Sequence, residues 1–318
     1  MPEDQNVVGD YWTDETIALL TKLGWQQRGA RNFDIDCSKH KKQRNGQGHG
    51  IDCLFSYYDP YLNRTNGIIV ESKSRQWDGL SKSKLESFIT QVMSCLECAQ
   101  EASQLQEFGF DAINTALIVC WCNDGNYNHS QYIDRLRSLK YPLKLREMTI
   151  YLASNYDILR WCSIIDTMSS IKNNSLEFKF CYPYIVNNNS DLCEDNYLTL
   201  FYLYSKYIFA RNKVRKVLGD TTKVIEQSIV FYFDEVSLSG LQFMYDAFRQ
   251  YQLQRADEFI IYLYINRSEH RECVDEFKRT INEQLTKNGS HKSLVVRYMT
   301  VLTGTETVPY NILGINEE

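Results

Sequence analysis

The sequence predicts an α/β fold in two parts: an N-terminal domain whose mixed sheet is flanked by helices, and a C-terminal α/β domain. Three observations lead there. Short apolar, β-branched runs alternate with longer segments whose apolar residues recur at helical spacing. Between residues 172 and 196 the composition turns rich in Asn and Ser, with Pro183 and the run Asn187-Asn188-Asn189. The length of 318 residues favours two domains over one. The expected domains are residues 1–175 and 195–318.

Taken in order, residues 13–22 read as a short helix. Thr13 or Asp14 caps it, and Ile17, Leu19, Leu20 and Leu23 form its apolar stripe. Gly24 ends it and Trp25 opens an extended stretch. Residues 39–50 are polar, basic and Gly-containing, hence a loop. Residues 51–58 and 68–74 read as paired strands joined by a turn through Asp59-Pro60 and Asn63 to Gly67. A helix runs from Ser81 to about Glu107, with Leu85, Phe88, Ile89, Val92, Leu96 and Ala99 on one face. Residues 115–122 form a continuous apolar run, as a buried strand does. A helix over 130–139, a strand over 148–152 and a helix over 156–171 complete this half.

Beyond the Asn-rich stretch, residues 197–217 read as a Tyr-rich helix. Strands at 228–233, 258–265 and 293–300 then alternate with helices at 241–252 and 270–286. No repeat appears in the sequence.

Charged residues make up 24% and hydrophobic residues 43%, as in soluble globular proteins. The longest apolar runs, 116–122 and 259–265, are too short to span a bilayer, so no membrane association is expected. The start Met1-Pro2-Glu3-Asp4-Gln5 has no signal-peptide character. The ten cysteines are scattered in apolar surroundings rather than spaced as a disulfide scaffold, which points to a reduced cytoplasm. The net charge is -5, yet residues 22–84 hold 12 Lys/Arg against 6 Asp/Glu. A local positive patch, not a basic protein, is what phosphate binding needs.

That patch surrounds the most informative residues. Gly50-Ile51-Asp52 places an acid beside an apolar strand, and Gly67-Ile68-Ile69-Val70-Glu71-Ser72-Lys73 is an apolar run ending in Glu-x-Lys. Residues two apart on a strand share a face, so Glu71 and Lys73 project together and Ser72 points away. Acids from neighbouring strands beside a lysine can hold a divalent cation and a water next to a phosphate. Mg2+ (or Mn2+) would take oxygens from Asp52, Glu71 and the Ser72 carbonyl, and Lys73 would stabilise developing charge or position the water. Glu-x-Lys occurs twice more, at Glu177-Lys179 and Glu276-Lys278. The first follows a polar loop and the second lies in a predicted helix, where residues two apart do not face each other.

The order helix, strand with Asp, strand with Glu-x-Lys, helix, strand spans roughly residues 10–170. It resembles the PD-(D/E)xK nucleases, the restriction-endonuclease-like superfamily of restriction enzymes, recombination nucleases and junction resolvases. The resemblance implies a restriction-endonuclease-like N-terminal domain that hydrolyses DNA phosphodiester bonds, leaving 5′-phosphate and 3′-hydroxyl ends. It implies metal-binding roles for Asp52 and Glu71 and a water-orienting role for Lys73. It adds Glu15 on the first helix and Gln91 on the helix after Glu-x-Lys. Ile51 stands where a proline often precedes the acid, and Cys95 falls where one branch has a tyrosine. The combination with a C-terminal α/β domain is similar to prokaryotic restriction or anti-phage effectors.

Lys39, Lys41, Lys42, Arg44, Arg75 and Lys84 are the candidate contacts to the DNA backbone. Plainer readings stand beside several of these residues. Glu15 also suits a solvated first-turn acid, and Gln91 the polar side of its helix. His49, between Gly48 and Gly50, reads as a turn histidine. Cys95-x-x-Cys98 and Cys120-x-Cys122 read as packing rather than zinc ligands. Phe201, Tyr204, Tyr207 and Ile208 read as a core or interface stripe, with Arg211, Lys213, Arg215 and Lys216 ending the helix. No nucleotide-binding motif occurs in the C-terminal half, leaving recognition, oligomerisation or a partner subunit open as its role. Two alternatives to an autonomous nuclease also stay open: a nuclease fold that only binds or assembles, and an enzyme silent without a partner.

Overall fold

The computed structural model describes residues 2–302 except 41–47, 143–146, 187–188, 252, 254–255, 266–269 and 288–291. The chain forms two compact units, one reaching to Cys162 and one spanning Ser163–Leu302. The division falls inside a helix, not in the Asn-rich stretch between residues 172 and 196.

The first unit is built on a five-stranded sheet. Helix α1 (Pro2–Lys22) leads into β1 (Gln26–Gln27), the short β2 (Phe33–Ile35) and β3 (His49–Ile51), then the hairpin of β4 (Cys53–Asp59) and β5 (Arg64–Arg75). A 3-10 turn (Trp77–Leu80) hands the chain to α2 (Lys82–Ala99) and the single-turn α3 (Ser103–Gln106). β6 (Ala112–Cys122), α4 (His129–Arg137), β7 (Thr149–Ala153) and α5 (Asn155–Lys172) follow. The sheet order is β1-β4-β5-β6-β7, while β2 and β3 pair as a separate ribbon. β4 and β5 are antiparallel, and β5, β6 and β7 run parallel through helical crossovers.

Helix α1 begins earlier than its apolar stripe suggests, so Thr13 and Asp14 lie inside it rather than capping it. Its buried face carries Trp12, Thr13, Glu15, Thr16, Leu19 and Leu20. Trp12 stacks on Trp121 of β6 with centroids 5.8 Å apart, and its Nε1 donates to the Val119 carbonyl at 3.3 Å. Helix α2 stops at Ala99, earlier than the periodicity predicts. Ala102 is extended and buried, and the turn it makes lets Leu105 of α3 pack into the same core. The α2 face of Leu85, Phe88, Ile89, Val92 and Leu96 covers β6 and β5, as its spacing predicts. Arg135 of α4 fixes the approach to α2. Its guanidinium lies 3.7 Å from the centroid of the Trp77 ring and donates to the Trp77 and Leu80 carbonyls.

The second unit departs more from expectation. Its six-stranded sheet has the order β13-β12-β11-β10-β8-β9. β8 (Ser175–Val186) and β9 (Asn189–Asp195) occupy the Asn- and Ser-rich stretch read as the domain boundary. The predicted helix over 197–217 is a single turn, α6 (Leu200–Leu203), followed by the long strand β10 (Tyr207–Leu218). The buried residues Ile208, Ala210, Asn212 and Val214 recur every second position, which is strand periodicity. Arg211, Lys213, Arg215 and Lys216 therefore belong to a strand and not to a helix C-terminus. A two-residue turn with Gly219 at a φ of 62° joins β10 to β11 (Thr221–Tyr232). Then come α7 (Leu238–Gln250), β12 (Glu258–Leu263), α8 (Arg271–Lys287) and β13 (Ser293–Tyr298), close to the predicted alternation.

The strand sequence β10-β11-β12-β13 thus has the pairing of β4-β5-β6-β7: one antiparallel hairpin, then two parallel neighbours, each reached through a helix. No repeat is visible in the sequence, because the shared feature is the order of pairing and not the residues. Among the described residues, no helix is long and apolar enough to cross a membrane.

Candidate active site

The site is set by the turn of the β4–β5 hairpin. Asp59 Oδ1 accepts from the Tyr61 and Leu62 amides at 2.9 and 3.1 Å, and Asn63 adopts a left-handed φ of 51° that Asn tolerates well. This turn pairs Asp59 with Arg64 and, at the far end, Cys53 with Val70. A one-residue slip would send every side chain to the opposite face, so the turn chemistry fixes the site's register.

One step beyond Cys53 and Val70 stand Asp52 and Glu71. The predicted continuous strand over 51–58 is interrupted here, since Asp52 sits at a bend between β3 and β4. The bend turns its carboxylate toward β5, where Oδ2 accepts the Ser72 amide at 2.8 Å. Its position is thus held by a backbone donor that β4 no longer pairs.

Lys73 joins the two acids. Its Nζ lies 2.5 Å from Glu71 Oε1 and 3.5 Å from Asp52 Oδ2. Gln91 of α2 donates from Nε2 to the same Glu71 oxygen at 3.2 Å. Four sequence-predicted residues, Asp52, Glu71, Lys73 and Gln91, are therefore in one hydrogen-bonded cluster. The ammonium groups of Lys73 and Lys84 lie 5.9 and 5.5 Å from the centroid of the Phe88 ring, so Lys84 and the cluster share that ring.

Glu71 is buried, and burial pushes its carboxyl above the usual range. The negative charge of Asp52 adds to the rise and Lys73 opposes it. For Lys73, burial pulls downward, but the ion pairs with Glu71 and Asp52 outweigh it and the net shift is upward. Lys73 is thus favoured as an ammonium, and a further cation beside Glu71 and Asp52 would offset the cost of their proximity. This oxygen donor set fits a hard divalent cation. Asp52 and Glu71 are the side chains that would hold it; Ser72 is buried beside them and contributes its amide to Asp52.

Glu15 stands apart. It is buried on α1, and burial raises its carboxyl to about 7, with a Tyr11 hydrogen bond opposing and Asp14 adding. Among the described residues, no hydrogen bond or ion pair joins it to Asp52, Glu71 or Lys73. Asp14, the neighbouring α1 acid, is exposed and paired with Arg31 at 2.5 Å. Adjacent helical residues point about 100° apart, and that rotation separates the two acids.

Of the predicted phosphate contacts, Arg75 is exposed at the end of β5. Lys39 is tied to α2 through the Glu97 carbonyl at 2.8 Å and Glu101 at 3.0 Å. Lys41, Lys42 and Arg44 lie outside the described residues. Glu177 and Lys179 lie on strand β8 after all, in an ion-pair ladder in which Glu177 bonds both Lys179 and Lys213.

His49 is not a surface turn residue. It is buried beside His40, with ring centroids 5.5 Å apart, close to Cys37 and Cys98. Spacing along the chain gave no signal for this group, because Cys98 comes from a helix far along the sequence.

A family model described as the GAPS4 protein PD-(D/E)XK nuclease domain matches residues 1–157, ending close to the division at Cys162. No curated protein matches the chain.

Proposed function

Residues 1–157 belong to the PD-(D/E)xK nuclease superfamily, and from that premise we propose that the protein is a metal-dependent deoxyribonuclease acting in anti-phage defence. The observation that carries the chemistry is Lys73 Nζ set between carboxylates from two different elements, Asp52 and Glu71. A divalent cation, when bound, supplies charge stabilisation at the phosphoryl oxygens. Asp52 and Glu71 would hold it. Gln91 fixes the rotamer of Glu71, and the Ser72 amide fixes that of Asp52. Lys73, kept protonated by the two acids, orients the attacking water and stabilises the negative charge that develops in the transition state. Lys84 and Arg75 extend the positive surface along the DNA backbone.

Supercoiled plasmid incubated with Mg2+ or Mn2+ tests this. Nicking or linearisation is expected, lost with a chelator and reduced at least about a hundredfold in Lys73→Ala. Metal binding without cutting would instead indicate dependence on a partner. Neither metal binding nor cutting would leave a binding or assembly role.

A further inference from the structure

We propose that Cys37, His40, His49 and Cys98 form a structural zinc site, separate from the acid cluster. One ligand atom from each lies within 4.8 Å of all the others. Tetrahedral zinc with bonds of about 2.0–2.3 Å places its ligands about 3.3–3.8 Å apart, so only a small contraction is required. Two thiols and two imidazoles make a closed, soft donor set that selects zinc over the oxygen-seeking Mg2+.

The surroundings are those of a ligand shell. Nε2 of His40 bonds the Glu97 carboxylate at 3.1 Å, which leaves Nδ1 facing inward, 3.5 Å from Cys98 Sγ. A carboxylate on the outer imidazole nitrogen fixes the tautomer and the ring orientation. The His40 amide donates to Cys37 Sγ at 3.2 Å, and such a donor stabilises thiolate charge. Cys37, His49 and Cys98 are buried and His40 is half-buried.

The ligands also join elements that have little else to hold them. Cys37 follows β2, His49 begins β3 and Cys98 lies near the end of α2. The β2–β3 ribbon pairs three residues with three, and so short a ribbon is marginal without support. Gly48 approaches so closely that a Cβ there would meet the Ile35 carbonyl oxygen at 2.5 Å, which pins the entry to His49. The bound ion would tie His40 to His49. It would also set His49, three residues before Asp52, and α2, which carries Gln91.

The test is the metal content of the full-length protein, purified without chelator under reducing conditions. Elemental analysis is expected to find about one zinc per chain. Replacement by Co2+ is expected to give the absorption of a tetrahedral thiolate complex. His40→Ala, at the half-buried ligand, is expected to lose the zinc while keeping its circular dichroism, and Asp52→Asn to retain it. A wild-type protein that stays zinc-free after incubation with Zn2+ overturns the proposal. So does a Cys37–Cys98 disulfide in the intact mass of protein handled under reducing conditions, or zinc that is lost in Asp52→Asn but kept in Cys98→Ser. None of these readings depends on whether the protein cuts DNA.

Discussion

Glu71 shows how a single residue is tuned by its position. Burial raises its pKa first, Asp52 adds to the rise and Lys73 opposes it, so protons compete with a bound cation here more strongly than at an ordinary carboxylate. Mn2+ affinity measured by calorimetry is therefore expected to strengthen with pH above the usual carboxylate range, with proton release into the more acidic buffers. Glu71→Gln is expected to weaken binding at least about tenfold, whereas Glu15→Gln leaves it unchanged. Glu15 acts on stability instead. Its folded pKa of about 7 lies above the ordinary 4.5, so its contribution is full below pH 4.5 and is lost as pH rises through about 7. Glu15→Gln should thus stabilise the fold by about 1–3 kcal/mol at pH 8, with the gain vanishing below pH 5 in urea denaturation.

At the scale of elements, the hairpin carries the site because its turn and its register are coupled. Gly67 contributes where β5 shifts register between Asn66 and Ile68. A Cβ there would meet the Phe110 ring at 2.7 Å. Gly67→Val is therefore expected to destabilise the first unit by about 1–3 kcal/mol, readable in thermal denaturation. In β10, alternation of Asn212 and Val214 with Arg211 and Lys213 competes with an apolar pattern that also suits a helix. The strand prevails because a polar ladder needs it. Ser175, Asn212, Gln227 and Glu258 hydrogen-bond in series at 2.5, 2.7 and 2.8 Å across four adjacent strands. Helical residues 207–218 would leave those amides buried without partners.

At the scale of the whole molecule, the same pairing order serves two units but carries a site in one. One step beyond the hairpin end, the first unit sets Asp52 opposite Glu71. The equivalent step beyond Tyr207 and Tyr232 sets Lys206 opposite Phe233, with the Phe233 amide donating to the Lys206 carbonyl at 2.8 Å. Asp234 follows, paired with Lys206 at 2.7 Å. A cation and an aromatic ring in those places do not hold a metal ion. Asp234→Asn is accordingly expected to leave Mn2+ stoichiometry and plasmid cleavage unaltered, in contrast to Asp52→Asn, when both are measured side by side.

The sequence by itself determined the alternation of helices and strands in the first unit and the cluster of Asp52, Glu71, Lys73 and Gln91. Asp52, Glu71 and Lys73 were legible because they rest on local signals, strand periodicity and a turn at Asp59-Pro60, whereas Gln91 came from the family resemblance, its helix pattern showing only that it lies on the polar side. Tertiary structure alone decided that Glu15 is buried on α1 without joining the acid cluster, that residues 175–195 and 207–218 are strands, and that Cys37, His40, His49 and Cys98 converge. Those outcomes depend on partners far along the chain. A strand is completed by hydrogen bonds to other strands, and a metal-ligand cluster by side chains from separate elements, so neither leaves a period that a single stretch of sequence can display.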